Sequence, residues 1–237
     1  PQQASEVYLS RDIRYVREAM WQVALGNTKF LAVIGESGAG KTTLREELEE
    51  RLRIEGKAVV LIAPYVLAME EISKVDASTS VVMSVNNSLV CWGLEQFASE
   101  EQKQKYLVPL AKGEKIGAFC LSEPVAGSDA TCQRTTAIDM GDHYLLNGTK
   151  NWITNGGTAS TYLVMAQTDA AKGHKGINCL IVEKGMPGFV VGAKEDKLGI
   201  RGSDTHTLMF QDVKVPKANR VGEDGFGFTF AMKTLSG

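Results

Sequence analysis

The chain has 237 residues, 43% of them hydrophobic and 23% charged, with a formal net charge of −2. That is enough for one large or two small domains with a buried core. The near-neutral charge, with no Lys/Arg-rich run, excludes a dedicated nucleic-acid or anionic-membrane surface.

No apolar stretch approaches the roughly 20 residues of a membrane span. The opening PQQASEVYLSRD lacks the basic-then-apolar pattern of a secretory signal. In chain order, Ser10 is placed to cap a helix that carries Ile13, Val16, Met20 and Val23 at helical spacing, and Gly26-Asn27 ends it. The apolar run Phe30–Ile34 leads into GESGAGKT, Gly35–Thr42, which matches G-x-x-x-x-G-K-[ST]. Leu44, Leu48 and Leu52 then recur at spacing four, Gly56 supplies a stop, and Ala58–Ala63 is a second apolar run. Strand, glycine loop, helix, strand is the context that the motif needs. Consecutive backbone N–H groups and a helix N-terminus form an anion nest. Gly35, Glu36, Ser37, Gly38, Ala39, Gly40, Lys41, Thr42 and Thr43 are therefore the candidate nucleotide site for ATP with Mg²⁺, against the simpler alternative of a glycine-rich turn with no ligand. Lys41 is expected to reach the outer phosphates and the Thr42 hydroxyl to ligate the metal. This segment resembles ATPases of the AAA+ type found with phage and transposon systems. Hydrolysis also needs an acidic residue at the end of another strand. The nearest candidates, Glu70 and Glu71 in VLAMEE, read as solvated helix residues.

A helix is expected to end between Glu70 and about Ser73, and a second to run over Val81–Phe97. The Asn86-Asn87-Ser88 patch in the latter either lines a ligand cavity or lies on a partly exposed face. Ser99 followed by Gln102 fits a capping box, and that helix runs to about Ala111 before Gly113 stops it. From Ile116 the period changes. Tyr144–Leu146, Tyr162–Gln167, Asn178–Val182, Phe189–Val191 and Leu208–Phe210 are short apolar or alternating runs separated by turn residues. They suggest an antiparallel barrel or sandwich. Cys91, Cys120, Cys132 and Cys179 form no C-x-x-C pair, and the three histidines are scattered. Reduced thiols in a cytoplasmic protein are expected, and a zinc site is not.

Two stretches organise the second half: AFCLSEPVAGSDA, Ala118–Ala130, and NGTKNWITNGG, Asn147–Gly157. Asn-Gly favours a type I′ hairpin turn, so Trp152 and Thr154 are expected on short strand ends, facing the same side of the pleat. Small residues let backbone N–H groups approach a ligand, and a nearby flat aromatic offers a stacking face. These features suit a planar, phosphate-bearing cofactor. CLSEPVAGSDATC resembles the signature loop of acyl-CoA dehydrogenases, NWITNGG their second flavin-contacting segment, and LGIRGSDTHTLMFQDVKVP is also similar to that family, near its short-chain members. The resemblance runs from about Tyr65 to Gly237. Cys132 departs from it, standing where the family usually has Gly, Ser or Ala.

The resemblance implies flavin-dependent oxidation of a short-chain acyl-CoA to the 2,3-enoyl thioester. By position, Phe119, Cys120, Leu121, Ser122, Gly127, Ser128, Trp152, Ile153 and Thr154 would contact FAD. Ser122 would hydrogen-bond the flavin, Thr154 would approach N5, Trp152 would pack on the isoalloxazine, and Ser128 would also lie towards the acyl-CoA. The family's catalytic carboxylate belongs to a C-terminal helical domain, so no base is assigned and the flavin pocket is expected to be half built. Electron-transfer flavoprotein and homo-oligomers are the implied partners; a membrane or nucleic acid is not. The expected fold class is α+β multidomain: a P-loop α/β fragment over 1–68, a helical segment over 69–115, a β-domain of acyl-CoA dehydrogenase type over 116–222, and the start of a further helical domain over 223–237. The two resemblances meet at Pro64–Ile72, and a chimera joined there is expected.

Overall fold

The computed structural model describes residues 63–236, and the chain divides after Ala68 into two units. The expected P-loop, Gly35–Thr42, lies outside the described residues. Helix α1 spans Ala63–Val75, so PYVLAMEEI is helical throughout and the helix ends two residues later than the sequence suggests. Glu70 and Glu71 are solvated on it, 3.5 and 2.8 Å from Lys74 Nζ.

Asp76 caps the next helix by accepting from the Ser78 and Thr79 backbone N–H groups, which starts α2 (Ala77–Ser84) four residues before the expected Val81. A π-helical stretch, Val85–Cys91, continues into α3 (Trp92–Phe97). The Asn86 side chain on that stretch is structural: its Oδ1 accepts from Gly117 N at 2.9 Å and its Nδ2 donates towards Leu110 O at 3.5 Å. The asparagine patch thus ties the helix to the start of the sheet. The capping box at α4 (Glu100–Gln102) forms as expected. Gln102 Nε2 also donates to the Ala218 and Arg220 carbonyls. A second π-helical stretch, Lys103–Leu107, leads into α5 (Val108–Ala111).

The rest is an eight-stranded sheet: β1 (Gly117–Cys120), β2 (Thr136–Asp139), β3 (His143–Thr154), β4 (Thr161–Gln167), β5 (Ile177–Glu183), β6 (Phe189–Lys194), β7 (Thr205–Pro216) and β8 (Arg220–Val221). Its order is β6-β7-β3-β2-β4-β5-β8, with β1 added on β4. The path is open, and β1 and β2 meet β4 in parallel, so the wholly antiparallel expectation is corrected. β4 and β5 are buried on both faces. Tyr162, Val164 and Ala166 face a core shared with β3 and β7, while Leu163 and Met165 face the helices, including Phe230 of α6 (Gly227–Ser236). Burial on both sides explains why these strands read as continuous apolar runs. Each fully buried Leu, Ile or Val contributes about 1.5–3 kcal/mol relative to exposure.

Asn147-Gly148 is not a turn. It lies inside the long strand β3, where Gly148 faces Thr135: a Cβ there would stand 2.5 Å from Thr135 Oγ1 and 2.7 Å from its Cα, and φ is +144°. Asn147 pairs with the bulged residue of the opposite strand, Asp212 (φ +52°), through Nδ2 to Oδ1 at 3.0 Å and Asp212 N to Oδ1 at 2.9 Å. A second register shift falls between Lys150 and Ile153. There the extra residue is on β3, and Trp152 takes φ +60°. The bulge changes the phase of the strand: Lys150 and Ile153 are both buried, and Trp152 between them is 63% exposed.

Lys150 is the only charged side chain in that core row, and it is paired. Its Nζ lies 2.8 Å from Glu123 Oε1, with the two side chains 0% and 3% exposed. Burial pushes the Glu123 carboxyl up, but the Lys150 charge, its hydrogen bond and the donors at Arg134 and Thr135 outweigh it and hold the group below the ordinary carboxylate range. Burial pulls Lys150 down, and Glu123 opposes it.

Two outcomes follow for stability. Gly148→Ala should destabilise the chain by about 1–3 kcal/mol, through a steric clash at a φ that L-residues rarely take, read from urea midpoints. Lys150→Met should cost about 3–5 kcal/mol, because it leaves a buried carboxylate unpaired. Since Glu123 ionises at lower pH in the fold than in the unfolded chain, its stabilisation is full above about pH 4.3, the unfolded glutamate value, and is lost as pH falls through the folded value. Urea midpoints taken from pH 7 downwards should therefore drop on the acid side, and Glu123→Gln should flatten that drop.

Candidate functional site

β1 delivers the chain into a loop at Leu121, and β2 takes it back at Thr136. Within the loop, Glu123 and Ala126 exchange backbone hydrogen bonds at 3.0 and 3.2 Å, which makes a tight turn around Pro124-Val125. Asp129 caps the 3₁₀ turn Ala130–Cys132 by accepting from Thr131 N at 3.0 Å and from the Cys132 thiol at 3.0 Å. That bond to Asp129 raises the pKa of the exposed Cys132 thiol.

The loop is closed at its base by Glu123. Its Oε2 accepts from Arg134 N at 2.5 Å and its Oε1 from Thr135 N at 3.0 Å. Lys150 Nζ donates to Glu123 Oε1, to Leu121 O at 3.0 Å and to Gln133 Oε1 at 3.2 Å. Asn151 N donates to Ser122 O at 2.9 Å. β3 therefore holds both limbs of the loop.

Beyond Trp152, the Asn155-Gly156-Gly157 turn is fixed by Asp204, the residue before β7, and by His206 on that strand. Asp204 accepts from Gly157 N at 2.6 Å, from Thr158 N at 3.2 Å and from Thr158 Oγ1 at 2.9 Å. His206 packs under the two glycines, where a Cβ on Gly157 would stand 2.6 Å from its Nε2. Asn155 takes φ +64° and is wholly buried, donating through Nδ2 to Gly117 O at 3.1 Å. This Asn-Gly is a turn, as expected, but it links β3 to a strand that pairs elsewhere.

The structure sorts the nine candidate cofactor residues into two groups. Phe119 stacks on Phe230 at 6.5 Å, Leu121 packs against the helix-side core, and Cys120 and Ile153 are core residues, so these four side chains face inward. Ser122, Gly127, Ser128, Trp152 and Thr154 are at least partly exposed. The Ser122, Ser128 and Thr154 hydroxyls have no hydrogen-bond partner among the described residues, and a Cβ on Gly127 would meet nothing within 4 Å. An exposed indole with free hydroxyls and an open glycine on the segments around it fits a planar group with polar edges. Trp152 and Thr154 do not share one face of a regular pleat as expected, because the bulge intervenes. The nucleotide candidates Gly35–Thr43, with Thr42 as metal ligand, lie outside the described residues. Among the described residues no His/Cys/Asp/Glu group could hold a metal ion, and no helix is long and apolar enough to cross a membrane. All four cysteines are free.

Sequence reasoning missed Lys150, Gln133 and Asp204. For Lys150 a signal existed: it stands in phase with Leu146 and Gly148 on one strand, at a position that alternation assigns to the core.

Residues 16–114 match the profile of the acyl-CoA dehydrogenase N-terminal domain, and residues 118–213 that of the middle domain. The first of these spans both Gly35–Thr42 and Pro64–Ile72, and so lends no support to a P-loop ATPase or to a junction there. The short-chain specific acyl-CoA dehydrogenase of Clostridium acetobutylicum is 53% identical over 74% of this chain, and the human mitochondrial short-chain enzyme is 53% identical over 72%. The chain spans 46% and 42% of their lengths, about half of the curated relatives it matches. The butyryl-CoA dehydrogenase structure from Megasphaera elsdenii is 52% identical, with a TM-score of 0.71 over 72% of this chain and 45% of that one. A structure described as the electron transferring flavoprotein of Acidaminococcus fermentans is 41% identical, with a TM-score of 0.73 over 98% of this chain and 63% of that one. With both domain profiles matched in order, the chain belongs to the acyl-CoA dehydrogenase family through its N-terminal and middle domains.

Proposed function

We propose that the chain forms the N-terminal and β-domain walls of a FAD site that oxidises a short-chain acyl-CoA thioester. The observation that carries this reading is Trp152, which is held by a bulge with its indole exposed, on a strand locked to the family's signature loop. Bound FAD supplies the hydride acceptor for desaturation between the α and β carbons. The chain's own residues would bind and orient: the Trp152 indole would cover one ring face, the Ser122 and Thr154 hydroxyls would hold the ring edge, and Ser128 would lie towards the acyl-CoA. No catalytic base is assigned among the described residues in this reading. Glu123 is unsuited to that role, because both its oxygens are engaged within the protein. The relatives' short-chain names support the substrate class, and the Acidaminococcus neighbour supports an electron-transferring flavoprotein as acceptor. Within this reading, 69–115 is the helical segment, 116–222 the β-domain, and 223–237 the start of a further helical domain.

FAD titrated into the chain should quench tryptophan emission and bind. Trp152→Ala should weaken binding by about threefold to tenfold, the worth of one aromatic stack. Butyryl-CoA should then perturb the visible flavin band more than palmitoyl-CoA does. Equal FAD affinity in the Trp152→Ala chain would sink the assignment of this residue, and no FAD binding at all would sink the reading.

A second reading rests on the complete GESGAGKT motif: residues 1–68 bind a nucleoside triphosphate with Mg²⁺. ATP binding by calorimetry that disappears in Lys41→Ala is the expected result. Equal heats for the two chains would remove it.

A further inference from the structure

We propose that Lys150 is a positioning residue whose ammonium assembles the candidate flavin site, by fixing the Leu121–Gln133 loop against the strand that carries Trp152. The proposal rests on the flavin reading above for the ligand, and on geometry alone for the clamp.

The ammonium has three N–H donors, and it meets three acceptors: Leu121 O, Glu123 Oε1 and Gln133 Oε1 at 3.0, 2.8 and 3.2 Å. The acceptors come from the outgoing limb, the turn and the returning limb of one loop. Glu123, held by Lys150, in turn accepts from Arg134 N and Thr135 N and closes the loop at its base. One residue along β3, Asn151 N bonds Ser122 O at 2.9 Å, and after one more residue Trp152 takes its left-handed backbone and turns outward. The inward lysine and the outward indole are two results of the same bulge. Together they set where Ser122 stands relative to Trp152.

Filling the space alone does not require a lysine. A methionine of similar length fits an apolar core without the desolvation cost of an ammonium, and replacing a buried ion pair by apolar residues is often neutral or stabilising. What methionine lacks is directed donors. Lys150 is therefore a group that serves geometry, and geometry at this loop matters to a ligand that needs its contacts preassembled.

The test uses the whole chain, with Lys150→Met/Glu123→Met as the main variant. Removing both charges together avoids an orphaned carboxylate and keeps the fold testable. Three quantities are read: the urea midpoint, amide hydrogen exchange without cofactor at Asn151, whose acceptor Ser122 O both substitutions leave in place, and FAD affinity with the shape of its visible band. The expected result is a midpoint above that of Lys150→Met, exchange at the Asn151 amide faster by at least about tenfold, and FAD affinity lower on the order of tenfold. Lys150→Arg keeps the charge but changes the donor geometry, so it should also weaken FAD binding without exposing an unpaired carboxylate. A protected Asn151 amide and unchanged FAD affinity in the double variant would overturn the proposal and leave the pair a purely stabilising one. A wild-type chain that takes no FAD sinks the flavin reading instead. Exchange at the Asn151 amide then decides the clamp by itself.

Discussion

The constraint on which the described structure depends is the burial of β4 and β5 on both faces. Thr161–Ala166 and Ile177–Val182 expose almost nothing, so helices must cover one side and the rest of the sheet must curl over the other. That requirement places β1 beside β4 in parallel and brings Val90, Leu94 and Phe230 down onto Leu163 and Met165. It also fixes where β1 ends. Cys120 is the last core residue of β1, and the signature loop begins directly after it at the edge of the core. The loop's position is thus inherited from strands buried on both faces, while its shape is set separately by hydrogen bonds.

Shape is where phase matters. A regular strand would send residues 150, 152 and 154 to one face. With the extra residue at Trp152, Lys150 and Ile153 point into the core and the indole points out. A left-handed backbone at a bulky non-glycine residue is costly, and such costs are borne where the surrounding structure over-determines them. The surroundings do so here. Asn151 bonds Ser122 and Thr207, Lys150 bonds the loop, and Asp204 holds the following turn.

Much of the fold was legible in the sequence because local signals and tertiary demands agree. The capping box at Ser99–Gln102 and the apolar runs of β4 and β5 form where expected. The misses are places where the two disagree. Asn147-Gly148 carries a strong local turn signal, yet its glycine is needed for close approach to Thr135, and only the folded chain reveals that neighbour. β2 buries just Ala137, so its alternation is too weak to read. The candidate loop and the Trp152 segment were found by their resemblance to a family. The inward orientation of Phe119, Cys120 and Ile153 was hidden, because membership of a motif does not say which way a side chain points. Lys150 was passed over since a lysine ordinarily reads as solvent-facing, and its partner lies 27 positions away in the sequence.

The buried pair bears on how the two halves of the candidate site are related. Coulomb attraction in a low-dielectric core is strong, but so is the desolvation of both ions, and the two largely cancel. The net gain in stability is therefore small, although breaking one partner alone is severe. Such a pair discriminates: any loop conformation that withdraws Glu123, Leu121 O or Gln133 strands a charge out of water, while the seated conformation does not. An apolar contact would tolerate many nearby loop positions at similar energy. Specificity of conformation, gained at little cost in net stability, is the property a loop of small residues lacks by itself. In this fold it is supplied from the neighbouring strand, two residues before the indole.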